Sequence, residues 1–170
     1  KVTTFLREKI AAEGGDPERE TMTVIRTHDG KKCYHVDDEH VYRVYKFVDK
    51  TKTIEVGTAE DMYRAGKGFG KFQRQLDDYP AETLHETISK FQYTPARYEN
   101  FLKAVEADAK GRRAVCEEEI KFVTDRKADT HKLTDLIAEG VLPLRVTHND
   151  TKLNNVLFDI KTDKGICVID

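Results

Sequence analysis

The 170 residues are enough for one domain or for most of a two-lobed one, and 38% of them are hydrophobic and 35% charged. The 29 Lys and Arg residues are interleaved with 31 Asp and Glu residues, and a net charge of −2 without a basic stripe argues against a nucleic-acid partner. No apolar run reaches membrane-spanning length, no signal peptide is recognisable, and three scattered cysteines fit a protein of the reducing cytoplasm with no membrane partner.

The first third of the chain predicts one helix followed by strands. Residues 2–13 have the apolar spacing of the end of an amphipathic helix. Residues 22–25 and 34–36 flank a turn at 28–31, which predicts a β-hairpin. Residues 41–48 are rich in β-branched and aromatic side chains, so we expect a third strand there.

The middle of the chain predicts helices. Thr58 can cap a helix that begins with acidic residues and ends before Tyr79-Pro80, and residues 80–94 form a loop. Thr94-Pro95 starts the next helix, because proline suits the first helical position. Two further helical stretches are predicted at about 112–126 and 130–139.

A small β unit with a polar loop closes the chain. We expect a short strand at 144–147, a loop at 148–155, and paired strands at 156–158 and 166–169. The order of elements is therefore a β remnant, a helical body and a β unit that carries the loop.

The polar loop holds the strongest motif of the sequence. His148, Asp150 and Asn155 fit the pattern H-x-D-x-x-x-x-N, Lys152 follows the Asp by two residues, and Asp170 follows the next apolar strand. By average residue usage this pattern occurs by chance in roughly one chain of this length in a hundred. A single loop Asp is usually a turn residue and a single Lys is usually a surface residue. The combination instead indicates a functional site.

Phosphoryl transfer to a hydroxyl explains this combination. The reaction needs a carboxylate that orients the hydroxyl and accepts its proton, and oxygen ligands for the magnesium that bridges the phosphates. A loop between two strands can present Asp150 and Asn155 on one side, and Asp170 at a neighbouring strand end can add a second metal ligand.

Residues 146–159 (VTHNDTKLNNVLFD) and 168–170 (VID) resemble the aminoglycoside phosphotransferase and choline kinase family. Within that family, residues 79–87 (YPAETLHET) and 91–95 (FQYTP) look most similar to the N-acetylhexosamine 1-kinases. The resemblance implies an α+β, protein kinase-like fold with a mostly helical C-terminal lobe and part of the N-terminal β lobe. It also implies ATP as phosphoryl donor, Mg²⁺ as cofactor, and a small-molecule acceptor, an amino sugar above all.

The resemblance also implies a role for each motif residue. Asp150 would be the catalytic base, and Asn155 and Asp170 would be magnesium ligands. His148 would brace the loop by hydrogen bonding, and Lys152 would lie near the transferred phosphate.

The segment 43–48 resembles the hinge of such kinases, whose backbone would hold the adenine edge at Tyr45, Lys46 and Phe47. Residues 1–48 would then be a partial N-terminal lobe, made of the end of the bridging helix, a hairpin and the hinge strand.

Residues 49–170 would be the C-terminal lobe, truncated after the metal-binding Asp170. The glycine-rich phosphate loop and the strand lysine of the family are expected upstream of residue 1, so both chain ends look cut. Residues 66–70 (GKGFG) lack the spacing of such a loop and are better explained as a helix-packing face. We therefore expect a fragment that does not turn over ATP by itself.

Three alternatives stay open. The acceptor could be an aminoglycoside, choline or homoserine instead of an amino sugar. The chain could also be a kinase-like module that binds partners without catalysis, although the presence of both expected metal ligands, Asn155 and Asp170, argues against it. Cys33 and His35 could begin a zinc site on one strand face, but no second pair of ligands follows. The oligomeric state is not predicted.

Overall fold

A computed structural model describes residues 1–170 and has the predicted α+β composition, with five α-helices and three small antiparallel sheets. The helices are α1 (Val2–Ala12), α2 (Ala59–Gln75), α3 (Thr94–Ala107), α4 (Glu117–Thr124) and α5 (Lys132–Ala138). The strands are β1 (Val24–Ile25), β2 (Tyr34–His35), β3 (Val41–Tyr42), β4 (Val44–Tyr45), β5 (Thr51–Lys52), β6 (Val156–Asp159) and β7 (Gly165–Val168). None of these helices is both long and apolar enough to cross a membrane.

The chain forms two compact units. The first unit comprises residues 1–80 and 145–170 and contains α1, α2 and every strand. The second unit comprises residues 81–144 and contains α3, α4 and α5. These units are groups of residues in mutual contact and not kinase lobes, so the lobe boundary predicted after residue 48 stays a prediction.

The core of the first unit lies between α2 and the sheet of β5, β6 and β7. The sheet is antiparallel with β6 in the centre, and Val156 pairs with Val168 across β6 and β7. Its buried side chains form one cluster with those of the helix, namely Ala65, Phe69, Leu153, Val156 and Phe158. Because β6 continues directly from the polar loop, this cluster fixes the end of that loop.

Helix α2 begins where the sequence predicts. Thr58 and Asp61 form a reciprocal capping box, in which Asp61 N donates to Thr58 Oγ1 (3.3 Å) and Thr58 N donates to Asp61 Oδ2 (2.9 Å). The prediction that Thr58 caps this helix is confirmed.

Gly165 of β7 lets α2 approach the sheet closely, and Gly68 of α2 lies against the same Val156 side chain. A Cβ on Gly68 would lie 3.4 Å from Val156 Cγ1, and a Cβ on Gly165 would lie 2.9 Å from the same atom and 3.1 Å from the Arg64 carbonyl. The packing interpretation of residues 66–70 is confirmed at Gly68, whereas Gly66 and Gly70 face open space.

The predicted hairpin of 22–25 with 34–36 is wrong. The turn exists, since Thr27 N donates to the Lys31 carbonyl (3.0 Å), but β1 pairs with β4 and β2 pairs with β3. Asp37 explains the difference, because its carboxylate accepts the His40 amide (2.8 Å) and closes a second turn. A β2–β3 hairpin is thereby nested between β1 and β4. The single strand predicted at 41–48 is accordingly split at Arg43.

The strand predicted at 144–147 is wrong, because these residues form no strand. Instead Val146 packs against a buried cluster of Leu6, Ile10 and Leu76, and Arg145 Nη2 pairs with Asp77 Oδ1 at 2.6 Å. Strand β5, with only two residues, is too short to give an alternating pattern and was not predicted.

Asp159 at the end of β6 gives a testable pH dependence. Its carboxylate accepts the Thr162 amide (2.9 Å), the Lys161 amide (3.1 Å) and Arg19 Nη2 (3.0 Å). The Thr162 backbone amide, followed by the Arg19 guanidinium, lowers the pKa of Asp159. A carboxylate with a lowered folded-state pKa stabilises the fold above its unfolded pKa of about 3.9, and this stabilisation is lost as the pH falls through the folded-state value.

We therefore expect Asp159→Asn to be less stable than the wild type at pH 7, with a difference that shrinks below about pH 4. Urea unfolding of both proteins between pH 7 and pH 2 measures this difference. A difference that stays constant over the whole range would contradict the assigned cause.

Candidate active site

His148 opens the polar loop and is held by hydrogen bonds to the loop itself and to the end of β7. Its Nε2 lies 2.9 Å from the Ile169 carbonyl, and its Nδ1 lies 3.3 Å from the Asp150 amide. Because an amide can only donate, Nδ1 is the acceptor, and Nε2 carries the proton that is donated to Ile169. The ring also packs edge-on against Phe69 and Phe72, at centroid distances of 5.3 and 5.9 Å. His148 thus joins the loop, β7 and α2.

Asp150, Lys152 and Asn155 contact one another inside the loop. Asn155 Nδ2 donates to the Asp150 carbonyl (2.9 Å) and to Asp150 Oδ2 (3.0 Å). Lys152 Nζ pairs with the same Oδ2 at 2.8 Å. Asn155 is buried, whereas the Asp150 and Lys152 side chains are half exposed. The loop therefore fixes its carboxylate from the buried side and leaves the other side open to solvent.

Asp170 reaches the same place from the end of β7. Ile169 N donates to the Asn155 carbonyl (2.9 Å), which ties the strand end to the loop. Lys152 Nζ lies 3.9 Å from Asp170 Oδ2. The carboxylates of Asp150 and Asp170 therefore flank a single ammonium group, and Asn155 binds Asp150 beside it.

The charged side chains in and around the loop shift the pKa values of Asp150 and Lys152. Lys152 is the main cause of the lowered pKa of Asp150, and Asp150 is the main cause of the raised pKa of Lys152. Asp170 and Glu55 raise the pKa of Lys152 further. Glu55 is held by Asn154, whose Nδ2 lies 3.3 Å from Glu55 Oε2. Glu55 was not predicted as a site residue, since it stands in an irregular loop 99 residues earlier without a motif.

A cleft of about 280 Å³ adjoins the cluster within the first unit. Asp170, His148 and Tyr45 line it, together with Arg43, whose Nη1 donates to the Tyr45 hydroxyl (3.0 Å). Tyr45 is the only one of the three predicted adenine-binding residues that lines this cleft.

The other two predicted hinge residues have different surroundings. Lys46 N donates to the Thr23 carbonyl (2.8 Å), and Lys46 Nζ pairs with Glu18 Oε2 at 2.7 Å. Phe47 is 83% exposed. The backbone amide of Lys46 is thus already bonded within the β1–β4 sheet.

Residues 5–170, nearly the whole chain, match the sequence pattern that defines the phosphotransferase enzyme family. The chain belongs to this family. Its members transfer phosphate to small molecules, and membership implies a protein kinase-like fold. The coarse resemblance noted from the sequence is confirmed, and the finer likeness to N-acetylhexosamine 1-kinases stays a prediction.

The donor set of this phosphotransferase has the chemistry of a magnesium site. Mg²⁺ prefers carboxylate and carbonyl oxygens, and Asp150, Asn155 and Asp170 bring such oxygens into one cluster. A cation is already held in this cluster, because the Lys152 ammonium stands between the two carboxylates. The residues present therefore fit the metal that the family's chemistry uses.

Proposed function

We propose that this phosphotransferase moves the terminal phosphoryl group of ATP to a hydroxyl of a small molecule. The acceptor we propose is the anomeric hydroxyl of an N-acetylhexosamine. One observation carries the proposal: the carboxylates of Asp150 and Asp170 flank one ammonium group at the open end of a β unit, and the Asn155 side chain binds Asp150 there.

Asp150 is proposed as the residue that orients the acceptor hydroxyl and takes its proton. Asn155 binds Oδ2, so Oδ1 is left to accept a hydrogen bond from the hydroxyl. The lowered pKa of Asp150 keeps the carboxylate ionised at neutral pH, as an acceptor of that hydrogen bond must be. His148 holds the loop in position through Ile169 and takes no part in the chemistry.

Asn155 and Asp170 are proposed as the residues that hold magnesium. Asn155 uses its Nδ2 to bind Asp150, which leaves its Oδ1 as the metal ligand. Bound magnesium bridges the nucleotide phosphates and neutralises the charge that develops on them. Lys152 is proposed as the cation that faces the transferred phosphate.

Tyr45 is proposed as the contact between the hinge segment and the nucleotide. It lines the cleft that also contains Asp170, so a nucleotide that extends from the hinge to the metal ligands passes this side chain. Lys46 and Phe47 complete the proposed adenine edge through backbone groups other than the Lys46 amide, which is bonded to Thr23. Residues 1–170 contain no glycine-rich phosphate loop of the expected spacing, and we expect this chain alone not to turn over ATP.

An acceptor panel tests the function. The complete enzyme, with MgATP, is assayed against N-acetylhexosamines, aminoglycosides, choline and homoserine by following ADP release. We expect the highest kcat/KM with an N-acetylhexosamine and a product phosphorylated at the anomeric carbon, identified by ³¹P NMR. A preference for a cationic acceptor would replace the proposed substrate but keep the chemistry. The absence of both MgATP binding and turnover would favour a non-catalytic binding module.

A further inference from the structure

We propose that Lys152 occupies the cation site of the nucleotide-free protein and must be displaced when the metal binds. This inference rests on the proposed function, because it needs Asn155 and Asp170 to hold the metal directly beside Asp150. It gives Lys152 a role before the reaction begins. The ammonium balances the negative charge of the carboxylates, so a divalent ion without a nucleotide binds there only weakly.

The position of the ammonium group supports this role. Lys152 Nζ lies 2.8 Å from Asp150 Oδ2 and 3.9 Å from Asp170 Oδ2, whereas an exposed lysine ordinarily points into water. An ammonium is a compact point charge with three donors, and here it is placed between the carboxylate of the proposed metal ligand Asp170 and that of the proposed base Asp150. A metal ion and this ammonium cannot share the place, because two cations at such distances repel each other strongly.

The backbone allows the side chain alone to move. Lys152 N donates to the Asp150 carbonyl (2.9 Å), and Asn155 N donates to the Lys152 carbonyl (3.0 Å). Leu153, the next residue, is buried in the α2–sheet core. The main chain at Lys152 is therefore fixed, while its side chain is half exposed.

Glu55 provides an alternative partner after displacement. It is the third carboxylate that acts on Lys152, and its own position is set by Asn154 Nδ2 at 3.3 Å. A Lys152 side chain that the metal displaces therefore keeps Glu55 as an anionic neighbour. The phosphates of a bound nucleotide add a stronger anion, so the metal–nucleotide complex displaces Lys152 more readily than the metal alone.

Mn²⁺ binding to the nucleotide-free protein tests this exchange, with free Mn²⁺ measured by electron paramagnetic resonance. We expect Lys152→Met to bind Mn²⁺ roughly three- to tenfold more tightly than the wild type, because the competing ion pair and its charge are gone. Lys152→Arg keeps a cation in place, and its affinity is expected to stay within about twofold of the wild type. The matched control is Lys52→Met, which removes a lysine of similar exposure (47%) paired to Asp163 at 2.6 Å, and no change is expected.

The outcomes separate this inference from the proposed function. If Lys152→Met binds Mn²⁺ as the wild type does or more weakly, the exchange is overturned, while the metal site stands. If Asp170→Asn leaves Mn²⁺ binding unchanged, or no variant binds Mn²⁺ at all, the proposed metal site itself is wrong and the inference falls with it. Circular dichroism of each variant establishes that it is folded, and Lys152→Gln replaces Lys152→Met if the latter is not.

Discussion

Replacing Asp150 by Asn in the complete enzyme is expected to lower kcat by a factor on the order of 10²–10⁴, the usual range for loss of a general base. Asn keeps the volume of the side chain and an oxygen that can bind Lys152, but it cannot take a proton from the acceptor hydroxyl. The loss should therefore appear in kcat and leave the KM for ATP nearly unchanged. Steady-state kinetics with saturating MgATP measures both values.

Asp163→Asn is the matched control for this variant. Asp163 is also an exposed aspartate paired to a lysine, at 2.6 Å from Lys52 Nζ, and its positive φ of 54° is one that Asn adopts readily. We expect Asp163→Asn to keep a near-normal rate. A near-normal rate of Asp150→Asn would remove the proposed role of Asp150.

Replacing Phe158 by Ala is expected to lower the free energy of unfolding by about 3–5 kcal/mol. Phe158 is fully buried in the centre of the β5–β6–β7 sheet and belongs to the cluster that joins the sheet to α2. Truncation removes its ring from the core and leaves a cavity that the surrounding strands fill only in part. Because natural domains have only about 5–15 kcal/mol in total, the loss is large. Equilibrium unfolding in urea measures it.

Phe47→Ala provides the comparison for Phe158→Ala. Phe47 is 83% exposed, so its truncation should change the free energy of unfolding by no more than about 0.5 kcal/mol. Equal effects of the two substitutions would contradict the assignment of the core to α2 and the sheet.

Long elements with strong terminal signals were predictable from the sequence. Thr58 with Asp61, and Thr94 with Pro95, mark helix starts that depend on neighbouring residues alone, and both helices begin there. The β1–β4 and β2–β3 pairings were not predictable, because each strand has only two residues and shows no alternation. Which strands pair there depends on a second turn, closed by Asp37, that was not predicted.

The candidate site was likewise predictable only where its residues form a local motif. Asp150, Lys152 and Asn155 lie within six residues, and the β6–β7 hairpin brings Asp170 back to them, so a local motif was enough to find the group. Glu55 joins the group through Asn154, a contact between two irregular segments far apart in the chain. No periodicity or motif reports such a contact. The hydrogen bond from Lys46 N to the Thr23 carbonyl also joins distant residues without a motif, so it could not be predicted from the sequence.

The position of a bound metal tests the central claim most directly. Crystals of the complete enzyme with a non-hydrolysable ATP analogue and Mn²⁺ would show the metal by anomalous scattering. We predict a peak about 2.0–2.3 Å from Asn155 Oδ1 and from an Asp170 carboxylate oxygen, with Lys152 Nζ moved away from Asp150. A peak bound elsewhere, with the Asn155 and Asp170 side chains facing apart, would contradict the account.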